Sequence, residues 1–325
     1  MSRRSWILPA VAAVLGLAAP RAAAAEDYPT RQIRMIVPFS PGGPSDILAR
    51  VLGAKLADAW GQAVVIDNRA GASGMIGTEL AVKASPDGYT LILSNNADEI
   101  SVSLYPKLPY DIVRDLQPVC LVSQSPFVLV VHPSVPARSL AELIALARVR
   151  PGELGFASGG GVGVPSHMAG EMLKWRAGID LIHIPFKGQG PATQDVLAGH
   201  VPMMFTNTMN GLPFMRDGQL RALAVSTAKR TAAAPEIPTV AEQGFPGFDV
   251  GIWFGIQAPA GTPRPIVDKI AGEVRRILDQ PDMRAQLAAQ GAESLFGGPE
   301  VFAARIRAEI VKWAEVVKAA NLHPD

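Results

Sequence analysis

Cysteine is nearly missing. Cys120 stands alone in 325 residues, so no intramolecular disulfide can form and the fold rests on its core. A chain of about 300 residues buries roughly 75% of the surface its unfolded form exposes, which makes such bridges dispensable. Clustered positive charge is missing too. There are 30 Lys and Arg against 29 Asp and Glu, without the basic patch that nucleic acid or an anionic membrane requires. After the N-terminus, no apolar run reaches the about 20 residues of a membrane span without meeting charge or proline.

Several chemical signatures are also lacking. There is no His-Glu-x-x-His and no Cys/His cluster, so zinc has no evident ligand set. His132, His183, His200 and His323 are scattered, and the carboxylates form no catalytic or metal-binding pair. Gly159, Gly161 and Gly163 alternate, but Val164 and Ser166 break both readings as a dinucleotide fingerprint. No Gly-Lys-Ser/Thr follows, which excludes a phosphate loop. The nucleophile elbow Gly-x-Ser-x-Gly is absent as well. No cofactor is expected.

What is present begins with an export leader over residues 1–25. Arg3 and Arg4 form a positive head, residues 6–19 an apolar run, and Ala23-Ala24-Ala25 a small-residue cleavage site. The segment Ser2-Arg3-Arg4-Ser5 resembles a twin-arginine signal, although Trp6 stands where phenylalanine is usual, which favours the general secretory route. Either route leads to the periplasm. Losing Arg3, Arg4 and Arg21 leaves 27 basic residues against 29 acidic, a formal charge of −2.

The remaining chain alternates strand-like and helix-like segments, which predicts an α/β fold with parallel sheets and helices on both faces. Its length predicts two lobes. With no Ser/Gly-rich linker, the lobes must be joined by crossover strands, placed at residues 128–132 going out and 251–257 coming back. The expected division is residues 26–130 with 251–325 in lobe 1, and 131–250 in lobe 2. From Pro263 onward the chain reads as helical.

Two loops attract attention. In Pro38-Phe39-Ser40-Pro41-Gly42-Gly43-Pro44-Ser45-Asp46 a strand ends, glycines admit close approach, and a helix begins with Ser45 or Asp46 as its cap. Phe156-Ala157-Ser158-Gly159-Gly160-Gly161 through Ser166-His167 repeats the pattern in the other lobe. Free amides and the dipole of a helix start attract anions. Ligands in open α/β sheets bind beyond the carboxyl ends of strands. Taken alone, each loop is more often a capped turn; facing each other across a cleft, they would hold a small carboxylate. Ser94-Asn95, Thr206-Asn207 and Pro185-Phe186-Lys187-Gly188 also follow strand ends. Lys187 offers a counter-charge, against the commoner outcome of a solvated lysine. His167 packs at a helix start first and meets ligand second.

The ordered set of segments closely resembles the Bug family, the solute-binding proteins of tripartite tricarboxylate transporters. Tyr28-Pro29, Val37-Pro38-Phe39 with Gly42-Gly43 and Asp46, Asn68-Arg69, Pro86-Asp87-Gly88-Tyr89, Pro185-Phe186-Lys187-Gly188, Pro238-Thr239-Val240 and Pro259-Ala260-Gly261-Thr262-Pro263 carry the resemblance. It implies a two-lobed periplasmic binding protein of type II-like fold, acting as a monomer, with transporter subunits in the membrane as partners. It also implies that the loops at residues 38–46 and 158–167 hold the ligand's carboxylates, partly through water. Three positions depart from the pattern. Thr206 replaces an aspartate that would suit an ammonium group, Phe186 replaces a tyrosine, and the second loop is one glycine longer. The expected ligand-binding set is Phe39, Gly42, Gly43, Ser45, Asp46, Ser94, Asn95, Ser158, Gly159, Ser166, His167, Lys187, Thr206 and Asn207. Two other readings are a ligand-presenting accessory of a membrane sensor, and a hydrolase using a serine near His167. The latter lacks an aligned base and acid in the sequence.

Overall fold

The computed structural model describes residues 27–323, so the leader lies outside the described residues. Strand β1 (Ile33–Val37) runs between β2 (Val64–Asn68) and β3 (Thr90–Asn95), parallel to both. Ile33, Met35, Ile36 and Val37 are all buried, as expected of a central strand covered on both faces. Helix α1 (Pro44–Trp60) has proline in its first turn and ends at Gly61 in the left-handed region, φ 63°. Its buried Leu48, Leu52 and Leu56 recur at four-residue spacing and face the sheet. Helices α2 (Met75–Val82) and α3 (Ala97–Leu104) complete this half of lobe 1.

The second lobe repeats the plan. β5 (Gly155–Gly159) lies parallel to β6 (Ile182–Phe186) on one side and β7 (Met203–Asn207) on the other. Four helices connect and cover these strands: α4 (Leu140–Val149), α5 (Pro165–Ala177), α6 (Gln189–Leu197) and α7 (Thr208–Arg216). The chain then returns to lobe 1. There α8 (Arg264–Leu278) buries Ile266, Val267, Ile270, Val274 and Ile277, followed by α9 (Pro281–Ala289) and α10 (Pro299–Ala319).

The lobes are not purely parallel sheets, as the alternation predicts, but mixed ones. Each keeps a parallel trio, β2-β1-β3 or β6-β5-β7. Beside these run antiparallel strands that carry the chain between lobes. The 16-residue β4 (Leu116–Val131) pairs with β9 (Gly251–Pro259) over its first part, and with β7 and β8 (Arg221–Val225) over its last five residues. A strand shared by two sheets must oppose the strands it meets if the connections are to stay short. β9 also pairs antiparallel with β3, and β10 (Glu293–Gly297), which the sequence reading passes over, pairs with β4.

β4 changes partner between Pro126 and Phe127, slightly ahead of the expected crossover at 128–132. Pro126 has no amide hydrogen to give a ladder, and the Phe127 amide donates instead to Ser226 Oγ at 3.1 Å. Pro126 sits opposite Gly251, so both chain crossings lie side by side. β9 begins at Gly251 and stays in lobe 1. The return crossing is therefore the segment just before it, where the Val250 amide donates to Ser226 O at 2.9 Å.

Candidate functional site

In the first loop neither Ser45 nor Asp46 caps α1, contrary to the expectation from the sequence: the cap position is Gly43, with no side-chain cap bond, and Asp46 in the first turn holds the loop before it. Its Oδ2 accepts from the Gly42 amide at 2.9 Å and from Arg50 Nε at 3.0 Å. Gly42 takes φ 79° to allow this, a conformation that suits glycine. Burial pushes the Asp46 carboxyl up, but the Arg50 and Gly42 hydrogen bonds outweigh it and hold the group below its ordinary range. Ser45 Oγ accepts from Asn95 Nδ2 at 3.3 Å, and Asn95 Oδ1 accepts from the Ala97 amide at 2.9 Å. The serine hydrogen stays free to donate. Ser94 Oγ donates to Gly255 O at 3.2 Å and ties β3 to β9.

In the second loop a pair of histidines, His167 buried and His183 half-buried, does the corresponding work. The Gly163 amide donates to His167 Nδ1 at 3.1 Å, which puts the ring proton on Nε2, toward Glu171 at 3.6 Å. His167 packs against His183 with centroids 4.0 Å apart and the rings tilted by 37°. His183 Nε2 shares a 2.6 Å hydrogen bond with Ser158 Oγ. Burial, and next the neighbouring His167, push His183 down to about 3, so it is neutral at physiological pH. Gly160, Gly161 and Gly163 have φ of 135°, 98° and 83°. These values bend the chain into the α5 start.

Between the loops lies a small pocket of about 30 Å³. Three helix starts converge on it: Gly43, Pro44 and Ser45 of α1, Val164, Pro165 and Ser166 of α5, and Gly188 and Gln189 of α6. Phe39, Phe127, Val164 and Ile252 supply apolar walls. No Asp, Glu, Lys, Arg or His lines it. The lobes touch around its rim. Ser40 Oγ donates to Lys187 O at 2.9 Å, Asn210 Nδ2 to Gly42 O at 2.9 Å, and Ser73 Oγ to Val162 O at 2.6 Å. The structure is thus a closed form.

Of the residues expected to bind ligand, Phe39, Gly43, Ser45, Asn95, Gly159 and Ser166 line the pocket. Gly42, Asp46, Ser94, Ser158 and His167 stand behind it and hold its loops. Thr206 accepts from Gln189 Nε2 at 3.2 Å, and Asn207 caps α7 through the Met209 amide at 2.9 Å. Lys187 is exposed, and what it gives the cleft is its backbone carbonyl. Ser40, Pro44, Val164, Pro165 and Gly188 belong to segments the sequence singles out but not to the expected residue set, and Phe127, Gln189 and Ile252 are missed altogether. Gln189 could have been found, because Gly188-Gln189 repeats the strand–glycine–helix pattern. Phe127 and Ile252 enter only through the crossing of β4 and β9.

A larger groove of about 570 Å³ lies between residues 227–231 and the middle of α10. It mixes Lys229, Arg230, Arg305 and Lys312 with Asp249, Glu293 and Glu309. The part of α10 that lines it is far from that helix's start, so the groove lacks the convergent dipoles of the smaller pocket. No cluster among the described residues could hold a metal ion.

Comparison with known proteins gives a consistent picture. Residues 48–322 match the family described as tripartite tricarboxylate transporter family receptor. The protein BugT of Bordetella pertussis is 41% identical over 320 residues, covering 98% of this chain and 97% of BugT. The structure of R. palustris Rpa4515 with adipate superposes with a TM-score of 0.89 at 36% identity, covering 92% of this chain and all of that one. The periplasmic binding protein BugD gives a TM-score of 0.87 at 35% identity, with the same coverage.

Proposed function

From a chain that belongs to the tripartite tricarboxylate transporter receptor family, in its Bug branch, we propose a periplasmic receptor that captures a small carboxylate between its lobes and delivers it to a membrane transporter. The observation that carries this reading is the convergence of three helix starts on a pocket without a charged side chain. Each helix start favours an anion by about 0.3–1 kcal/mol when exposed, and by up to about 2 kcal/mol when partly buried. The apolar walls keep water from screening that attraction. The adipate held by Rpa4515, a relative of the same fold, supports a carboxylate here.

Closure follows from the rim. Ser40–Lys187, Asn210–Gly42 and Ser73–Val162 join opposite lobes, so they contribute only when the lobes meet. A ligand that bridges both loops shifts the population toward that state. The protein binds without turnover. Ser158 and His183 form a serine–histidine pair, but the hydroxyl is fully buried and no hydrogen-bonded carboxylate orients the ring among the described residues. A catalytic triad needs such an orienter.

A thermal-shift screen of the mature protein against a carboxylate library tests this. A ligand that binds only the folded state at 100 times its Kd adds about 2.7 kcal/mol of apparent stability. A carboxylate that raises the melting point, stays bound stoichiometrically and is recovered unchanged supports the proposal. Product formation, or a library in which no carboxylate shifts the transition, overturns it.

A further inference from the structure

We infer that Gln189 makes this pocket select carboxylates that carry a hydroxyl group, with the Gln189 side-chain oxygen accepting from that hydroxyl; the inference rests on the carboxylate reading above. Gln189 is only 6% exposed and opens α6 at the pocket wall. The fully buried Thr206 Oγ1 donates to Asn207 O at 3.4 Å and so accepts from Gln189 Nε2 at 3.2 Å, which turns the amide nitrogen to the back. Oε1 is thereby turned to the other side, beside Gly159. A Cβ built on that glycine would stand 2.8 Å from it. Oε1 accepts from no described residue.

A ligand that displaces water from the pocket without giving this oxygen a donor would leave it unmet, at a cost of about 1–3 kcal/mol, so the bound ligand is the natural source of one. The setting decides which kind. Helix starts and the free hydrogen of Ser45 supply donors for the carboxylate, and Ser166, 3% exposed with no described partner, adds another. Gln189 Oε1 is the acceptor among them. An ammonium group would also donate to it, but three positive helix ends and no lining Asp or Glu oppose a cation. A neutral hydroxyl satisfies the oxygen without that conflict. Sites built to bond a substrate hydroxyl reject the analogue lacking it far more strongly than apolar pockets reject a missing methylene.

The test is calorimetry of the mature protein against pairs that differ by one hydroxyl: lactate and propionate, 3-hydroxybutyrate and butyrate, malate and succinate, citrate and tricarballylate. For the pair that binds best, the hydroxylated member should bind roughly tenfold tighter. In Gln189→Met that gap should fall below about twofold. Should the methionine variant not fold, Thr206→Val frees the amide to turn its nitrogen into the cleft, and the gap should narrow there too. Equal binding of both members by the wild type, or a gap unchanged in the variants, overturns the assignment while leaving carboxylate capture standing. Failure of every carboxylate to bind overturns both.

Discussion

Gly159→Ala is the sharpest test of how the second loop is built. Gly159 ends β5 and pairs in register with Phe186 of β6. A Cβ there would stand 2.3 Å from Gln189 Cα and 2.4 Å from its nitrogen. Both are backbone atoms at a helix start, so no rotamer change relieves the clash. Ordinary contact begins near 3.4 Å, so β5 and α6 must part by about 1 Å. That displacement is large against hydrogen bonds of about 2.7–3.2 Å, and it moves one anion-binding helix end away from the other two. Overpacking of this kind costs about 1–3 kcal/mol. Calorimetry should show affinity for the best carboxylate weakened tenfold or more, and urea unfolding a loss within that range. Gly190→Ala, in α6 but off the pocket wall, is the control, because its Cβ would meet nothing within 4 Å. It should fold and bind within about threefold of wild type. Wild-type affinity in Gly159→Ala would refute the close approach of β5 to α6.

Other predictions address the frame of the pocket. Ser73→Ala removes an interlobe hydrogen bond of 2.6 Å and should weaken binding roughly threefold to tenfold through faster release, read by stopped flow, with stability of the free protein unchanged. Asp46→Ala removes the carboxylate that holds Gly42 and Arg50 and should cost about 1–3 kcal/mol in urea unfolding at neutral pH. Because the folded Asp46 carboxyl is held below its ordinary range, that difference should shrink as pH falls through the acid range. Asp98 behaves oppositely. Burial raises its carboxyl to about 7, against a Thr78 hydrogen bond that lowers it. The folded state thus holds a proton that the unfolded state releases, and stability falls as pH climbs from about 4 to about 7, by up to about 4 kcal/mol. Asp98→Asn should match wild type near pH 4 and exceed it at pH 8. Parallel pH profiles in urea unfolding would refute the assignment.

Legibility in the sequence followed how local each feature is. The strand-to-helix loops at Gly42-Gly43 and Ser158-Gly159 were readable because strand, glycine and cap are consecutive. The 16 residues of β4 were read only at the apolar end, Phe127–Val131, since the bulged first part with Pro118 and Gln124 breaks the alternation. Helix α3 hid behind Asp98 and Glu99, whose charged identity suggests surface although both are buried. β10 was invisible because its Glu293-Ser294 pairs with β4 from across the fold. The roles of Ser158 and His167 show the same limit. Position next to a glycine loop suggests ligand contact, yet Ser158 bonds His183 of the neighbouring strand and His167 bonds the Gly163 amide within the loop itself. Hydrogen-bond direction is a tertiary fact.

Under the proposed function, the absence of charge from the pocket wall suits a receptor that must release its ligand. A buried guanidinium would have to lose its water before the ligand arrives, and would leave an uncompensated charge when the ligand departs, at several kcal/mol. Helix-start amides are held in place by the helices they begin, so they need no rearrangement to receive a carboxylate. Asp46 and His167 are spent on the Gly42 and Gly163 amides that precede the helices, and His183 on the Ser158 hydroxyl, rather than on touching the guest. Strong charge therefore stays one layer back, where its pairing does not depend on whether the site is filled. The hold on the ligand then lies mostly in contacts made by closure, such as Ser40–Lys187 and Ser73–Val162. A partner that pries the lobes apart removes these together, and the carboxylate leaves without any ionic bond having to be broken inside the protein.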